Sequence, residues 1–231
     1  ISTGVGFFGQ GSNTTTVMRV YDQFLTGQLR GAESASAELA AYADQIAGID
    51  TLLADQKGGI SPLMQKFFAA VQAVADKPGD TAVRQGMLNA AESLAGQMRA
   101  AATYFQQQQE GINDQLKSSV TQINAYARQI ASLNSEIVRA QGSSGGQPAN
   151  DLLDQRDQLV SELNKLVGAK VVVQDSGTYN VFIGNGQPLV VGASSYDLKA
   201  VQSEADSSRI AIAYTLPDGS AIEMEDSIFH G

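Results

Sequence analysis

The string Gly4-Val5-Gly6-Phe7-Phe8-Gly9 has the glycine spacing of a dinucleotide-binding turn, and Asp22 lies some way beyond it. In that role the glycines let the backbone approach a pyrophosphate at a helix N-terminus, inside a strand–turn–helix–strand unit. Only residues 1–3 precede the string, and the residues after it have the period of a long helix. A glycine-rich turn is the better reading, and no cofactor-binding residue is assigned. Asp151, Asp154 and Asp157 share one face of a helix, where carboxylates can hold a hard cation. At the start of a helix they equally favour its positive dipole end while staying solvated, and that reading is preferred, so no metal ligand is assigned. His230 is the only histidine and there is no cysteine. A histidine triad, a multi-histidine metal site, disulfides and thiolate chemistry are thereby excluded from these residues, and no catalytic residue is assigned. Lone His230 reads as a surface residue. Asn13-Thr14-Thr15 is a glycosylation sequon by pattern only.

The elements that would carry such residues are long helices. Met18, Leu25, Ala32, Leu39, Ile46 and Leu53 recur at intervals of seven, with Tyr21, Gln28, Ala35, Tyr42 and Ile49 three residues after each of the first five. A 3-then-4 spacing keeps one stripe on one side of a helix and needs partner helices to cover it. The predicted helix spans 17–55, about 40 residues or roughly 60 Å. Gly58-Gly59 ends it. Ser61-Pro62 reads as a cap with proline at the first helical position, opening a helix over 61–76 with Leu63, Met64, Phe67, Phe68, Val71 and Val74 on its apolar face. Lys77-Pro78-Gly79-Asp80 is a turn, and Asp80 or Thr81 caps the next segment.

That segment, 81–141, contains no proline. Its first half places Met87, Ala91, Leu94, Met98, Ala101 and Phe105 on one stripe. Its second half places Leu116, Ile123, Ile130 and Ile137 seven apart, with Val120 and Ala127 between. The two registers disagree, and Gly111 at the join makes a break or kink there conceivable from sequence alone. A flexible loop over 142–148 comes next. Asn150 is expected to cap a fourth helix, 150–167, carrying Leu152, Leu153, Arg156, Leu159, Val160, Leu163 and Leu166. The stripe residues are the expected structural core. Tyr21, Tyr42, Tyr104 and Tyr126 lie on the stripes, where buried packing is the first reading and an assembly interface the second.

After Gly168 the period changes from 3.6 to 2. Residues 170–175, 178–184 and 187–192 read as strands separated by Ser176-Gly177 and Asn185-Gly186 turns, and 209–215 pairs with 220–224 across Pro217-Asp218-Gly219. The fold class is therefore α+β, predominantly helical: an elongated bundle of long helices over 1–168, then a small antiparallel β module over 169–231.

Composition agrees. The 231 residues are 43% hydrophobic but only 6% aromatic, without tryptophan, which suits close-packed helices. Fifteen basic side chains against 24 acidic ones leave a net charge of −9. Such a chain is a poor binder of nucleic acid and is not drawn to an anionic membrane, and no apolar run is long enough to span one. It opens at Ile1 without an initiator methionine and stops at Gly231 without a closing cap, so it reads as an excised piece of a longer protein.

Three stretches resemble one family, the bacterial flagellar hook–filament junction proteins (FlgK). They are Arg19-Val20-Tyr21-Asp22-Gln23-Phe24-Leu25-Thr26-Gly27-Gln28-Leu29-Arg30, then 122–134 (QINAYARQIASLN), and 150–163 (NDLLDQRDQLVSEL), the last continuing through Gly168 into Val171-Val172-Val173 and 177–181 (GTYNV). The third is the most specific. The resemblance implies a structural subunit of the flagellar axis, secreted through the flagellum's own export apparatus and located outside the cell. It implies self-association in a helical assembly, with hook protein and a second junction protein as neighbours, and returning helices from the C-terminal half of the chain packed on this rod. An adhesive or immune-recognised β module is an alternative, as is a coiled-coil adaptor, which would show heptads without the β region.

Overall fold

The computed structural model describes residues 22–54, 59–143, 148–216 and 218–224. Gly4, Gly6, Gly9, Asn13, Met18, Tyr21 and His230, on which expectations were placed, lie outside the described residues, as does the side chain of Leu53. Four helices come first: α1 (Gln23–Ala54), α2 (Ile60–Asp76), α3 (Thr81–Ser143) and α4 (Asn150–Leu166). Seven strands come after them: β1 (Ala169–Val173), β2 (Tyr179–Ile183), β3 (Gln187–Val191), β4 (Ser194–Ser195), β5 (Leu198–Gln202), β6 (Ile210–Thr215) and β7 (Ala221–Glu223).

Helix starts follow side-chain chemistry at two of the four positions. Asp22 Oδ1 accepts the N–H groups of Phe24 at 2.9 Å and Leu25 at 3.1 Å, so α1 is capped at Asp22. Asp80 Oδ1 accepts those of Ala82 at 2.9 Å and Val83 at 3.4 Å, capping α3. The other two expected caps are corrected. α2 starts at Ile60 with Gly59 as its cap, so Ser61 and Pro62 lie inside the first turn. Proline fits there because its missing N–H would have no intrahelical acceptor. α4 is capped by Ala149, whose carbonyl accepts the N–H groups of Leu152 and Leu153, while Asn150 is already helical.

α3 runs unbroken for 63 residues, about 95 Å. Gly111 neither ends nor breaks it. The change of apolar register is met by a change of partner: the first half packs on α2, and the second half packs on α4 and the strands. The strands form two antiparallel sheets, one in the order β1-β2-β3-β4 and one in the order β5-β6-β7. All three expected hairpin pairings are present, with Gly177, Gly186 and Gly219 at positive φ in their turns. Two strands, β4 and β5, were not expected. β4 is only two residues long, and β5 (LKAVQ) lacks a bounded run of β-branched residues.

One core joins the helices to both sheets. Val120, Ile123, Ala127, Ile130 and Ala131 of α3 and Val160 and Leu163 of α4 pack with Val181, Ile183, Leu189, Leu198 and Met224. This core crosses residue 168, where the helical part was expected to end. Tyr214 ties the sheets together by stacking on Tyr196 at 6.3 Å and donating its hydroxyl to the Pro188 carbonyl at 3.0 Å.

Of the expected core residues, Ile123, Ile130, Ile137 and Leu163 are buried, and Leu116, Leu152 and Leu159 half-buried. The stripe of α1 is different. Leu25, Leu39 and Tyr42 are 59%, 68% and 65% exposed, and Ile46 and Ile49 half-buried. Leu166, at the end of α4, is also exposed. α1 turns Arg30 and Glu33 toward α4, and its later turns, at Gln45 and Gly48, toward Gln115 and Tyr104 of α3, which leaves Leu25, Leu39 and Tyr42 exposed.

Candidate functional site

The best-organised polar constellation is a joint between helices and sheets, built on asparagines. Asn113, Asn124 and Asn134 sit about three turns apart on α3, which returns them to one face. Each amide uses its N–H and its C=O together, as a peptide group in a neighbouring strand would. Asn113 Nδ2 donates to the Ser208 carbonyl at 2.8 Å while Oδ1 accepts the Ile210 N–H at 3.0 Å. Asn124 brackets Leu198 in the same way, at 2.8 and 2.9 Å. Asn134 brackets Tyr179 at 2.8 and 3.0 Å and also donates to Gly192 at 2.7 Å, wedging its amide between the start of β2 and the end of β3. On α4, Asn164 donates to the Arg30 carbonyl of α1 and accepts the Ala169 N–H of β1. One side chain thus links α1, α4 and the first strand.

Arg156 is the buried charge at this joint, 2% exposed. Its Nη1 donates to Asn134 Oδ1 at 2.9 Å and to the Gly177 carbonyl at 2.8 Å, and its guanidinium lies 3.5 Å from the centroid of the Tyr179 ring. Hydrogen bonds and a π face are what a buried guanidinium needs to remain charged at tolerable cost. The Tyr179 hydroxyl donates to Asp157 Oδ1 at 2.8 Å, and Asp157 lies 3.7 Å from Arg30 Nη2. The helices α1, α3 and α4 and strand β2 contribute side chains here, and the other strands contribute backbone groups.

The aspartate trio of α4 is thereby split: Asp157 serves the joint, while Asp151 and Asp154 are exposed. Among the described residues no group of three or more His, Asp or Glu side chains could hold a metal ion. No helix among them is long and apolar enough to cross a membrane. The acidic turn tips are ordered by local bonds. Asp206 and Asp218 are held below the usual carboxylate range by the hydroxyl and backbone N–H of Ser208 and Ser220. Burial pushes the Tyr214 phenol up, with the neighbouring Tyr196 adding to the shift.

Away from the joint the surface changes character. α2 buries no residue, and Phe68 is 61% exposed. Leu88, Met98 and Phe105 of α3 are also open, in addition to Leu39 and Tyr42 of α1. Where α1 runs beside α3 the approach is close: a Cβ on Gly48 would collide with the Tyr104 hydroxyl. Tyr126 packs against the core, while Tyr104 is half-buried.

Sequence reasoning missed the asparagines because a polar residue in a helix reads as solvated. A signal existed in their recurrence about every three turns beside the Ile123–Ile130–Ile137 stripe. Arg156 gave a plainer one, lying in the apolar register of α4 between Leu153 and Leu159.

The family of the flagellar hook-associated protein FlgK helical domain matches residues 46–231. Flagellar hook-associated protein 1 of Salmonella typhimurium is 44% identical over 225 residues, covering 97% of this chain and 41% of that protein. The protein of the same name from Escherichia coli K12 is 43% identical over 220 residues, 95% of this chain and 40% of its own length. The solved structure of the flagellar hook junction protein FlgK from Burkholderia pseudomallei superposes with a TM-score of 0.79 at 37% identity, over 87% of this chain and 36% of that one. The chain thus spans about two fifths of the length of these relatives.

Proposed function

We propose, from the premise that this chain belongs to the FlgK family of flagellar hook-associated proteins, that it forms part of the structural junction between flagellar hook and filament. It acts by subunit assembly and not by catalysis. The long-helix region, 1–168, serves as the rod, and 169–231 as the β module fixed to it. The protein leaves the cell through the flagellar export apparatus and works outside it. Its neighbours are further copies of itself in a helical axial array, the hook protein, a second junction protein, and the remaining part of its own longer chain. Nucleic acid and bilayer are not among them.

One observation carries this reading: a polar joint stands beside long helices that leave Leu39, Tyr42, Phe68 and Leu88 open. Apolar residues grouped on long helices and left uncovered in one molecule mark a surface that another element covers. A helical rod with such a face, carrying a small β layer whose convergent polar groups hold helices to strands, is a building block.

The test uses the exposure of Leu39 and Tyr42. Leu39→Asp and Tyr42→Asp, made together, should leave the 1–231 chain folded, because neither side chain is buried. In the full-length protein, expressed in a motile strain lacking its own family member, they should give bare hooks and filament subunits lost to the medium. Normal filaments from a strain carrying the exported double variant would overturn the reading.

A further inference from the structure

Strand edges in this fold are closed in two ways. Asn124 takes the outward N–H and C=O of Leu198 on the edge strand β5, as Asn134 does for Tyr179 on the inner strand β2 where β3 has ended. The outer strands β4 and β7 are simply short, at two and three residues. β1 is neither. It is five residues long and, among the described residues, pairs only with β2.

The phase of its ladder can be fixed. Gln174 donates its N–H to the Thr178 carbonyl at 2.9 Å, so in the regular register beyond that bond, Val172 and Lys170 bond to β2. Val173, Val171 and Ala169 then turn their N–H and C=O groups outward. The bond from the Ala169 N–H to Asn164 Oδ1 at 3.0 Å agrees with that phase. Among the described residues nothing takes the outward groups of Val171 and Val173. The strand is also apolar: Val172 and Val173 are 48% and 38% exposed, and Lys170 is its only charge. Natural proteins cover or blunt such an edge, because it pairs with any strand that reaches it. In front of it lies an open groove of about 600 Å³, whose α1 wall is formed by Gly27, Gly31, Ser34 and Ala35 together with Arg30 and Glu38. The four small residues leave room for a single extended segment, and Arg30 and Glu38 offer it charged partners. With α1 as a wall, the edge of a second folded sheet has no straight approach.

We propose that an extended segment of this protein's longer chain, from outside residues 1–231, adds to β1 as an intramolecular outer strand and bonds to Val171 and Val173. The inference rests on the family reading in one respect: the 225 residues matched in the Salmonella relative are 41% of it, so such a chain has ample length to supply the segment. The segment is intramolecular because the edge needs cover before assembly. A subunit travelling alone with this edge bare would self-pair, whereas a tethered strand acts at roughly millimolar effective concentration.

Residue-resolved amide hydrogen exchange on the full-length protein, dilute and unassembled, and on the 1–231 chain tests this. In the full-length protein the Val171 and Val173 amides should exchange at least about a hundredfold more slowly than in the 1–231 chain. The Val172 amide, bonded to β2, should be protected in both. Val173→Pro removes an outward N–H, so the 1–231 chain should melt as before, while in the full-length protein the Val171 amide should return to fast exchange. Equal exchange of Val171 and Val173 in the two forms would overturn the proposal. So would protection that rises with protein concentration or accompanies assembly, since a neighbouring copy would then supply the strand. Neither result bears on the junction role, which the Leu39 and Tyr42 substitutions test.

Discussion

The two ends of α3 are one continuous helix with two fates. Toward its start, Ala101 is the only buried residue, and Leu88, Met98 and Phe105 face outward. Toward its end, Val120, Ile123, Ala127, Ile130 and Ile137 are closed over by α4 and the two sheets. Both ends carry apolar stripes of similar quality, so periodicity does not decide burial. What lies across the stripe decides it. The closed end is also where polar groups are buried, as Asn124, Asn134 and Arg156, each with named partners. An apolar stripe alone lets layers slide, whereas an amide bonded to one particular N–H and C=O does not. The closed end is thus held in register, and the open end is left for something outside the described residues to finish.

The largest expected effect strikes the closed end. Asn134→Ala removes the partner of the Tyr179 backbone, the Gly192 carbonyl and one bond to buried Arg156. It should cost roughly 3–5 kcal/mol in denaturant unfolding of the 1–231 chain, because buried groups are left unpaired. Asn113→Ala, at the margin of the same ladder, should cost about 1 kcal/mol. Equal losses from the two would show that burial of the pin is irrelevant.

Next comes a matched pair of truncations. Ile130 is fully buried, and Ile130→Ala should cost about 2–5 kcal/mol through the cavity it leaves. Leu39→Ala, on the open stripe of α1, should cost about 0.5 kcal/mol or less in the same chain. Thermal or urea melts compare them directly, and a large loss at Leu39 would mean that the stripe is already covered.

Glycines sharpen the contrast on a smaller scale. Gly111 sits mid-helix with open space where a Cβ would go, so Gly111→Ala should stabilise the chain by about 0.5–1 kcal/mol. Gly48→Ala should destabilise it or displace α1, because its Cβ would meet the Tyr104 hydroxyl.

The smallest effect concerns the acidic turns. The Asp206 and Asp218 carboxyls are held below their ordinary value of 3.8, chiefly by the Ser208 and Ser220 hydroxyls. A depressed folded pKa means the contribution is complete above the unfolded value and is lost as pH falls through the folded one. These turns should therefore loosen only in acid, below the ordinary carboxylate range. Ser208→Ala should move the Asp206 titration, followed by carboxyl NMR, upward.

Local signals in the sequence translated in part: the Ser61 and Asn150 caps moved by one or two residues, while others held. Asp80 caps α3, the Gly177 and Asn185-Gly186 turns set the first sheet, and the 3-then-4 spacing found Ile123, Ile130 and Ile137. Non-local pairing was harder. β5 has no sequence signature of its own; Asn124 on a distant helix and the pairing with β6 hold it in place. The joint was invisible for the same reason, since an asparagine's value there depends on a strand residue 74 positions away. The stripe of α1 failed in the opposite sense: its spacing is real, but spacing says nothing of which element covers it.

The central claim is that the open helical face is an assembly face. It can be tested with a thiol placed at Leu39 and read on its own labelled peptide, since residues 1–231 contain no cysteine. Full-length protein carrying Leu39→Cys would be labelled with a maleimide as free subunits and again in purified hook–filament junctions. The account predicts fast labelling of the free full-length subunit and protection by at least about tenfold in the junction, as expected for a side chain closed into a packed interface. Equally fast labelling of Leu39→Cys in free subunits and in intact junctions would contradict it, as would slow labelling already in the free subunit.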